Sequence, residues 1–199
     1  MSQLTAHERS CFECIAHEIS EIFSERGHHV TVALDNDSTF RDGNGPRSQL
    51  VKSLVAEGIR IGSHRMNLGW ETGVGGSKEI HSISDLAHKI FRVRKVELDD
   101  EGEIVLLGNE SILADLEPTM LGPQERWVFG YTVLGDAADR FFVAQVVDVA
   151  EGAPGHLVLA QVTWLDPNAP APSEGRFTPT DEALPGFDDV EDDELDESA

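Results

Sequence analysis

Basic residues are scarce in this chain relative to acidic ones. Fifteen lysines and arginines stand against 37 aspartates and glutamates, a formal net charge of −22 over 199 residues. Only Lys52, Lys78, Lys89 and Lys95 are lysines. So large a negative charge excludes general binding of nucleic acid or anionic membrane by the whole surface, because phosphates are repelled. Cysteine is nearly missing too. Cys11 and Cys14, three apart in a helical pattern, make no disulfide framework. No apolar run approaches the roughly 20 residues that span a bilayer, and no apolar segment follows the polar opening MSQLTAHERS. The expectation is a soluble, cytoplasmic protein with no membrane partner.

The charge is unevenly spread. Residues 41–95 carry 10 bases and 5 acids, whereas 174–199 carry 11 acids and 1 base. Arg60, Arg65, Lys89, Arg92, Arg94 and Lys95 are therefore candidate anion contacts, with nucleic acid admitted only through the 60–95 segment. The other reading pairs them with the chain's own acidic half or tail. Trp70, in the same stretch, can stack on a base or pack in a core. The acidic end can dock on a basic protein partner, and the same acid excess suits the solvated surface of a protein from a salt-loving organism.

Thr5-Ala-His-Glu8 matches a capping box, and Leu4, Cys11, Ile15, Ile19 and Ile22 recur at helical spacing up to Arg26. Gly27 stands where a left-handed cap would end that helix. Val30–Leu34 then reads as a strand. Gly45-Pro46 opens a second helix with Leu50, Val51, Leu54 and Val55 on its buried face. Gly58 reads as its stop and Ile59–Ile61 as a second strand, joined to the first by a right-handed crossover. Residues 63–81 read as a long glycine-rich loop, and Ser82-Ile-Ser-Asp85 as the cap of a short helix ending near Phe91.

Beyond it the period changes to two. Val93–Leu98 and Glu103–Leu107 flank the turn Asp99–Gly102, followed by Trp127–Leu134, Phe141–Val149 and His156–Leu165. Pro167, Pro170 and Pro172 lead into an acidic, apolar-poor stretch with the composition of a disordered tail. The expected fold is α+β. An N-terminal α-β-α-β unit occupies residues 1–91, an antiparallel β meander packed on it 92–166, and an acidic tail 167–199.

No catalytic or cofactor motif is complete. Asp35-Asn-Asp37-Ser-Thr39-Phe40 follows an expected strand, and two carboxylates at a strand's carboxyl end can hold one Mg²⁺ with waters. In this the stretch resembles the first motif of the haloacid dehalogenase-like phosphatases, a strand followed by Asp-x-Asp-x-Thr. The resemblance implies Asp35 as nucleophile, Asp37 as general acid and Thr39 as a stabiliser of the loop. It further implies Ser63 as the phosphate-binding residue of the second motif and Lys78 as the family's lysine. Asp136 would join Asp35 and Asp37 around the metal. Without the resemblance, Asp35 to Thr39 form a capped, solvated turn.

The helix followed by RGHHVTVALD and LVAEGIRI also resembles half of a phospholipase D-like domain, although that family's His-x-Lys pair is missing. Gly73–Lys78 can wrap a phosphate with backbone amides or act as a linker. Cys11 and Cys14, with His7 and His17 a turn to either side, offer two or three ligands where zinc wants four, and Cys11 falls within the apolar stripe. Two functions follow. One is a non-catalytic binding or regulatory protein that meets its partner through the 60–95 segment or the acidic tail. The other is a Mg²⁺-dependent phosphatase-like hydrolase centred on Asp35 and Asp37.

Overall fold

The structure, a computed structural model, describes residues 3–36, 40, 44–73, 76–83, 88–108, 124–152 and 154–169. Asp37, Thr39 and the expected tail from 170 onward lie outside these residues. Among the described residues three helices, α1 (Ala6–Arg26), α2 (His28–Asp35) and α3 (Asn44–Arg65), precede the strands. The strands are β1 (Gly69–Thr72), β2 (Lys78–Ile83), β3 (His88–Lys95), β4 (Glu97–Leu98), β5 (Ile104–Val105), β6 (Leu107–Gly108), β7 (Gln124–Leu134), β8 (Ala137–Val149) and β9 (Gly155–Leu165). Seven of them form one sheet in the order β1-β2-β3-β7-β8-β9-β6, antiparallel throughout except where β3 runs parallel to β7. The fold is thus mixed α+β with a mostly antiparallel sheet.

Helix α1 starts as its sequence directs. The Thr5 hydroxyl accepts from the Glu8 amide at 3.1 Å while the Glu8 carboxylate accepts from the Thr5 amide at 2.8 Å, so two free donors of the first turn are satisfied reciprocally. Its end differs from expectation. Gly27 has φ −58°, in the right-handed region, and the chain turns directly into another helix.

The strand expected at Val30–Leu34 is that helix, α2. A short β-branched run carries no periodicity that separates strand from helix. Burial decides between them: Val30 and Leu34, four apart, enter the core, while Val32 between them is 51% exposed. The second expected strand, Ile59–Ile61, lies inside α3, which runs without a break to Arg65. Gly58 is no stop. A Cβ there would lie 2.6 Å from Cγ1 and 2.8 Å from Cα of Ile19, and one at Gly62 would lie 2.8 Å from Cα of Ile15. The pair, four residues apart on one face, lets α3 approach the α1 backbone closely.

The expected glycine-rich loop contains a β-hairpin. Glu71 pairs with Glu79 and Gly69 with His81 across β1 and β2. The expected helix up to Phe91 is replaced by the end of β2 and the start of β3, with residues 84–87 outside the described set. β3 crosses the expected boundary at 91/92 and pairs with strands from both sides of it. The turn at Asp99–Gly102 forms as expected, Asp99 Oδ1 accepting from the amides of Glu101 and Glu103 at 3.0 and 2.8 Å. Strands β7, β8 and β9 contain the three expected later strands.

Alternation along the strands separates the two faces of the sheet. Ile80, Phe91, Trp127, Phe129, Tyr131, Phe141 and Val143 point toward the helices and form the main core with Phe12, Ile15, Ile19, Val55 and Ile59. On the opposite face Val128, Phe142, Ala144 and Val146 pack with Val96 and Leu106 from the connection after β3. One ion pair runs through the helix side. Lys89 Nζ lies 2.7 Å from Glu8 Oε2 and donates at 2.7 Å to the Gln3 carbonyl, and Ser82 Oγ donates to Glu8 Oε1 at 2.9 Å. Both charged side chains are buried, and the bond ties the start of α1 to β2 and β3.

Candidate functional site

The main candidate is a groove between α3 and one end of strands β2 and β3. On α3, Gln49, Lys52, Ser53 and Ala56 fall at i, i+3, i+4 and i+7, a stripe beside the buried stripe of Val51, Leu54 and Val55. That stripe forms one wall of a cavity of about 650 Å³ whose other walls include Lys78, Val93, Lys95 and Tyr131. A second cavity of about 450 Å³ continues along the helix past Arg47, Ser48 and Val51, and Lys95 lines both. The groove's floor is apolar, with Val55, Val93 and Tyr131 in it. Burial pushes the Tyr131 hydroxyl up to about 12, so it is a neutral phenol.

The rim of the groove is basic. Three of the chain's four lysines line the larger cavity. Lys78 is held in place, its ammonium 2.6 Å from Thr72 Oγ1 and 5.4 Å from the centre of the Trp70 ring. Lys52 and Lys95 are exposed, and among the described residues neither has an ion-pair partner. Glu97 is the acidic residue on the smaller cavity's lining. In a chain of net charge −22, three lysines and Arg47 along one groove concentrate local positive potential.

The anion contacts expected from sequence do not form one patch. Arg94 and Lys95 both line the groove, whereas Arg60 is exposed on α3. Lys89 is 2% exposed and committed to Glu8. Arg65 pairs with Glu18, and Arg92 donates from Nε and Nη2 to Glu79 Oε1 at 3.1 and 2.9 Å. Arg94 is half-buried, and burial, with Arg92 beside it, lowers its pKa. The cause of the dispersal is geometric: β3 is a strand, so its successive bases alternate between the core side and the opposite face. Arg47 and Lys52 were missed because their share in a site appears only once β2, β3 and β7 are set opposite that part of α3. The signal available for Lys52 was its place on the helical stripe beside the buried face.

The phosphatase-like residues are also dispersed. Asp35 closes α2, exposed at a helix C-terminus instead of a strand's carboxyl end. Ser63 is fully buried within α3. Asp136 accepts from Thr31 Oγ1 at 2.6 Å and lies 3.4 Å from Arg47 Nη2, a clasp holding the β7–β8 turn against α2 and α3. Asp35 and Asp136 belong to no set of three metal-ligating side chains among the described residues. Lys78 is the one residue of that set placed at the groove.

Cys11 and Cys14 are both buried and free. Burial first, then Cys14 and Glu8, push the Cys11 thiol up to about 11, and burial raises Cys14 too. Both sit in the interior as small core side chains, away from solvent. No described helix is long and apolar enough to cross a membrane. Comparison with protein families, curated proteins and solved structures gave no match for this chain.

Proposed function

We propose that this is a non-catalytic binding protein whose groove between α3 and the sheet takes an acidic peptide segment of a partner protein. The observation that carries the reading is the lysine rim set on an apolar floor in a molecule otherwise short of bases. An acidic segment with an apolar residue or two meets both halves of that surface: burial of the apolar side chain supplies affinity, and the lysines supply orientation and association rate. The molecule's remaining negative surface repels an acidic partner everywhere else, which favours one docking place over many. The free, buried cysteines suit the reducing cytoplasm, where we place the protein. The phosphatase-like reading has no comparable support, since its nucleophile stands at a helix end.

A fluorescent peptide of alternating glutamates and leucines, titrated with the full chain and followed by anisotropy, tests the reading. The double variant Lys52→Glu, Lys95→Glu is expected to bind roughly tenfold more weakly at low salt, from two exposed pairs of up to about 1 kcal/mol each plus new repulsion. Both side chains are exposed, so the fold is retained. Raising the salt concentration should erase much of the difference. Equal binding by the two proteins, or none by the parent, defeats the proposal.

A further inference from the structure

We infer that Glu71, Glu79 and His81 form a binding site for a divalent transition-metal ion. The site lies on the sheet face turned away from the helices and is independent of the groove. The three residues offer ligand atoms that all lie within 4.8 Å of one another. The register explains the gathering. Glu71 stands directly opposite Glu79 across β1 and β2, and His81 follows Glu79 by two residues on the same face. Ile80 between them points into the helix-side core, which fixes the direction of its neighbours.

Like charges set directly opposite in an antiparallel pair are destabilising, so the arrangement calls for a cation. Arg92 supplies part of it. Both of its donors reach the same oxygen of Glu79, Oε1, which leaves the second oxygen for another cation. The Glu79 carboxylate sits where a Cβ at Gly73 would fall, 2.5 Å from its carboxyl carbon, so this glycine gives it room. Among the described residues Glu71 has no arginine partner. Its Oε1 lies 3.2 Å from His81 Nε2.

The histidine supplies the second, independent observation. His81 Nδ1 is 3.0 Å from His88 Nε2, so one ring nitrogen is committed to that hydrogen bond. The other, His81 Nε2, is inaccessible to water and makes no hydrogen bond of acceptable geometry despite its closeness to Glu71. With Nδ1–H donated to His88, Nε2 presents its lone pair beside a carboxylate oxygen. That contact is repulsive unless a positive charge sits between them. Metal-bound histidines have this pattern: one ring nitrogen on the ion, the other donating to an acceptor that sets the tautomer.

The donor set selects the class of ion. One imidazole and two carboxylates suit zinc and its first-row neighbours, whereas magnesium and calcium prefer oxygen alone. Bonds of about 2.0–2.2 Å require the three ligand atoms to close by roughly an ångström. Glu71, 63% exposed on the edge strand, is free to make that movement. Three protein ligands leave a fourth position for water.

The experiment is titration of the chelator-treated full chain with ZnCl₂, followed by calorimetry and by ¹⁵N spectra of the histidine rings. One equivalent is expected to bind and to shift the Nε2 signal of His81 while leaving exposed His64 and His156 in place. Affinity should fall at least about tenfold in Glu71→Gln and in His81→Ala. Glu71 is exposed, so its variant keeps the fold even if the histidine variant does not. The double variant His28→Ala, His29→Ala, which removes the neighbouring ring pair on α2, is expected to bind zinc as before. Affinity that survives Glu71→Gln, disappears with His28 and His29, or shows no single saturable equivalent overturns the site.

Discussion

Lys89→Met is expected to destabilise the fold by about 3–5 kcal/mol, because it leaves the Glu8 carboxylate buried without its cation. For a chain of this size that corresponds to a fall in Tm of roughly 6–20 °C. Lys89 and Glu8 have side chains only 2% and 6% exposed, and each also serves a second partner, the Gln3 carbonyl for the lysine and Ser82 for the carboxylate. The lysine ammonium lies 5.3 Å from the centre of the Trp127 ring as well. Glu8→Met should cost a similar amount, plus about 1 kcal/mol for the lost capping box. The double variant Glu8→Met, Lys89→Met should be less destabilised than the two single losses summed, since two apolar side chains need no desolvation of charge. Losses that simply add in urea melts would show that packing alone explains the effect.

The same pair has a pH signature. Burial pushes the Glu8 carboxyl up, but the hydrogen bond from Lys89, with the Thr5 amide, Ser82 and the lysine's charge, outweighs it and holds the group below its ordinary value. A depressed carboxyl contributes stability that is fully present above the unfolded value, about 4.3, and is lost as pH falls through the lower folded one. The stability difference between the parent and Glu8→Gln should therefore be constant from neutral pH down to about 5 and shrink below that. A difference unchanged down to pH 3 would contradict the charged pair.

Alanine at Gly58 or Gly62 is expected to destabilise by about 1–3 kcal/mol each, although alanine gains about 1 kcal/mol over glycine in an exposed helix. The sign is set by the neighbour. A new Cβ at Gly58 meets the Cα of Ile19 at 2.8 Å, and one at Gly62 meets the Cα of Ile15 at the same distance. Backbone cannot rotate away as a side chain can, so α1 and α3 must separate and the core between them loosens. The double variant should cost less than the sum, because the first alanine already forces the separation that the second needs. Stabilisation by either alanine would mean that the helices do not touch there.

These glycines show why the middle of the fold was illegible. Gly58 carries the same local signal whether it ends a helix or admits a neighbouring backbone. The difference lies wholly in Ile19, 39 residues earlier in the chain. Val30–Leu34 failed for a related reason: a short β-branched run suits either element, and α2 is helical because Val30 and Leu34 find apolar cover among α1 and α3. The basic run from Arg60 to Lys95 was visible as composition. Its division among a groove, a buried ion pair and the opposite sheet face depends on strand alternation that the wrong element hides.

Local chemistry alone determined the capped start of α1, the Asp99–Gly102 turn, the three strands between Trp127 and Leu165 and the acidity of the molecule. In each of these the deciding interactions lie within a few residues of one another, or repeat with a period too regular to mistake. Tertiary packing decided the helical course of 28–65, the pairing of Lys89 with Glu8, the lysine-rimmed groove and the Glu71–Glu79–His81 cluster. Each of those joins residues far apart in the chain, and no stretch of sequence holds the energy of a contact whose other half lies elsewhere.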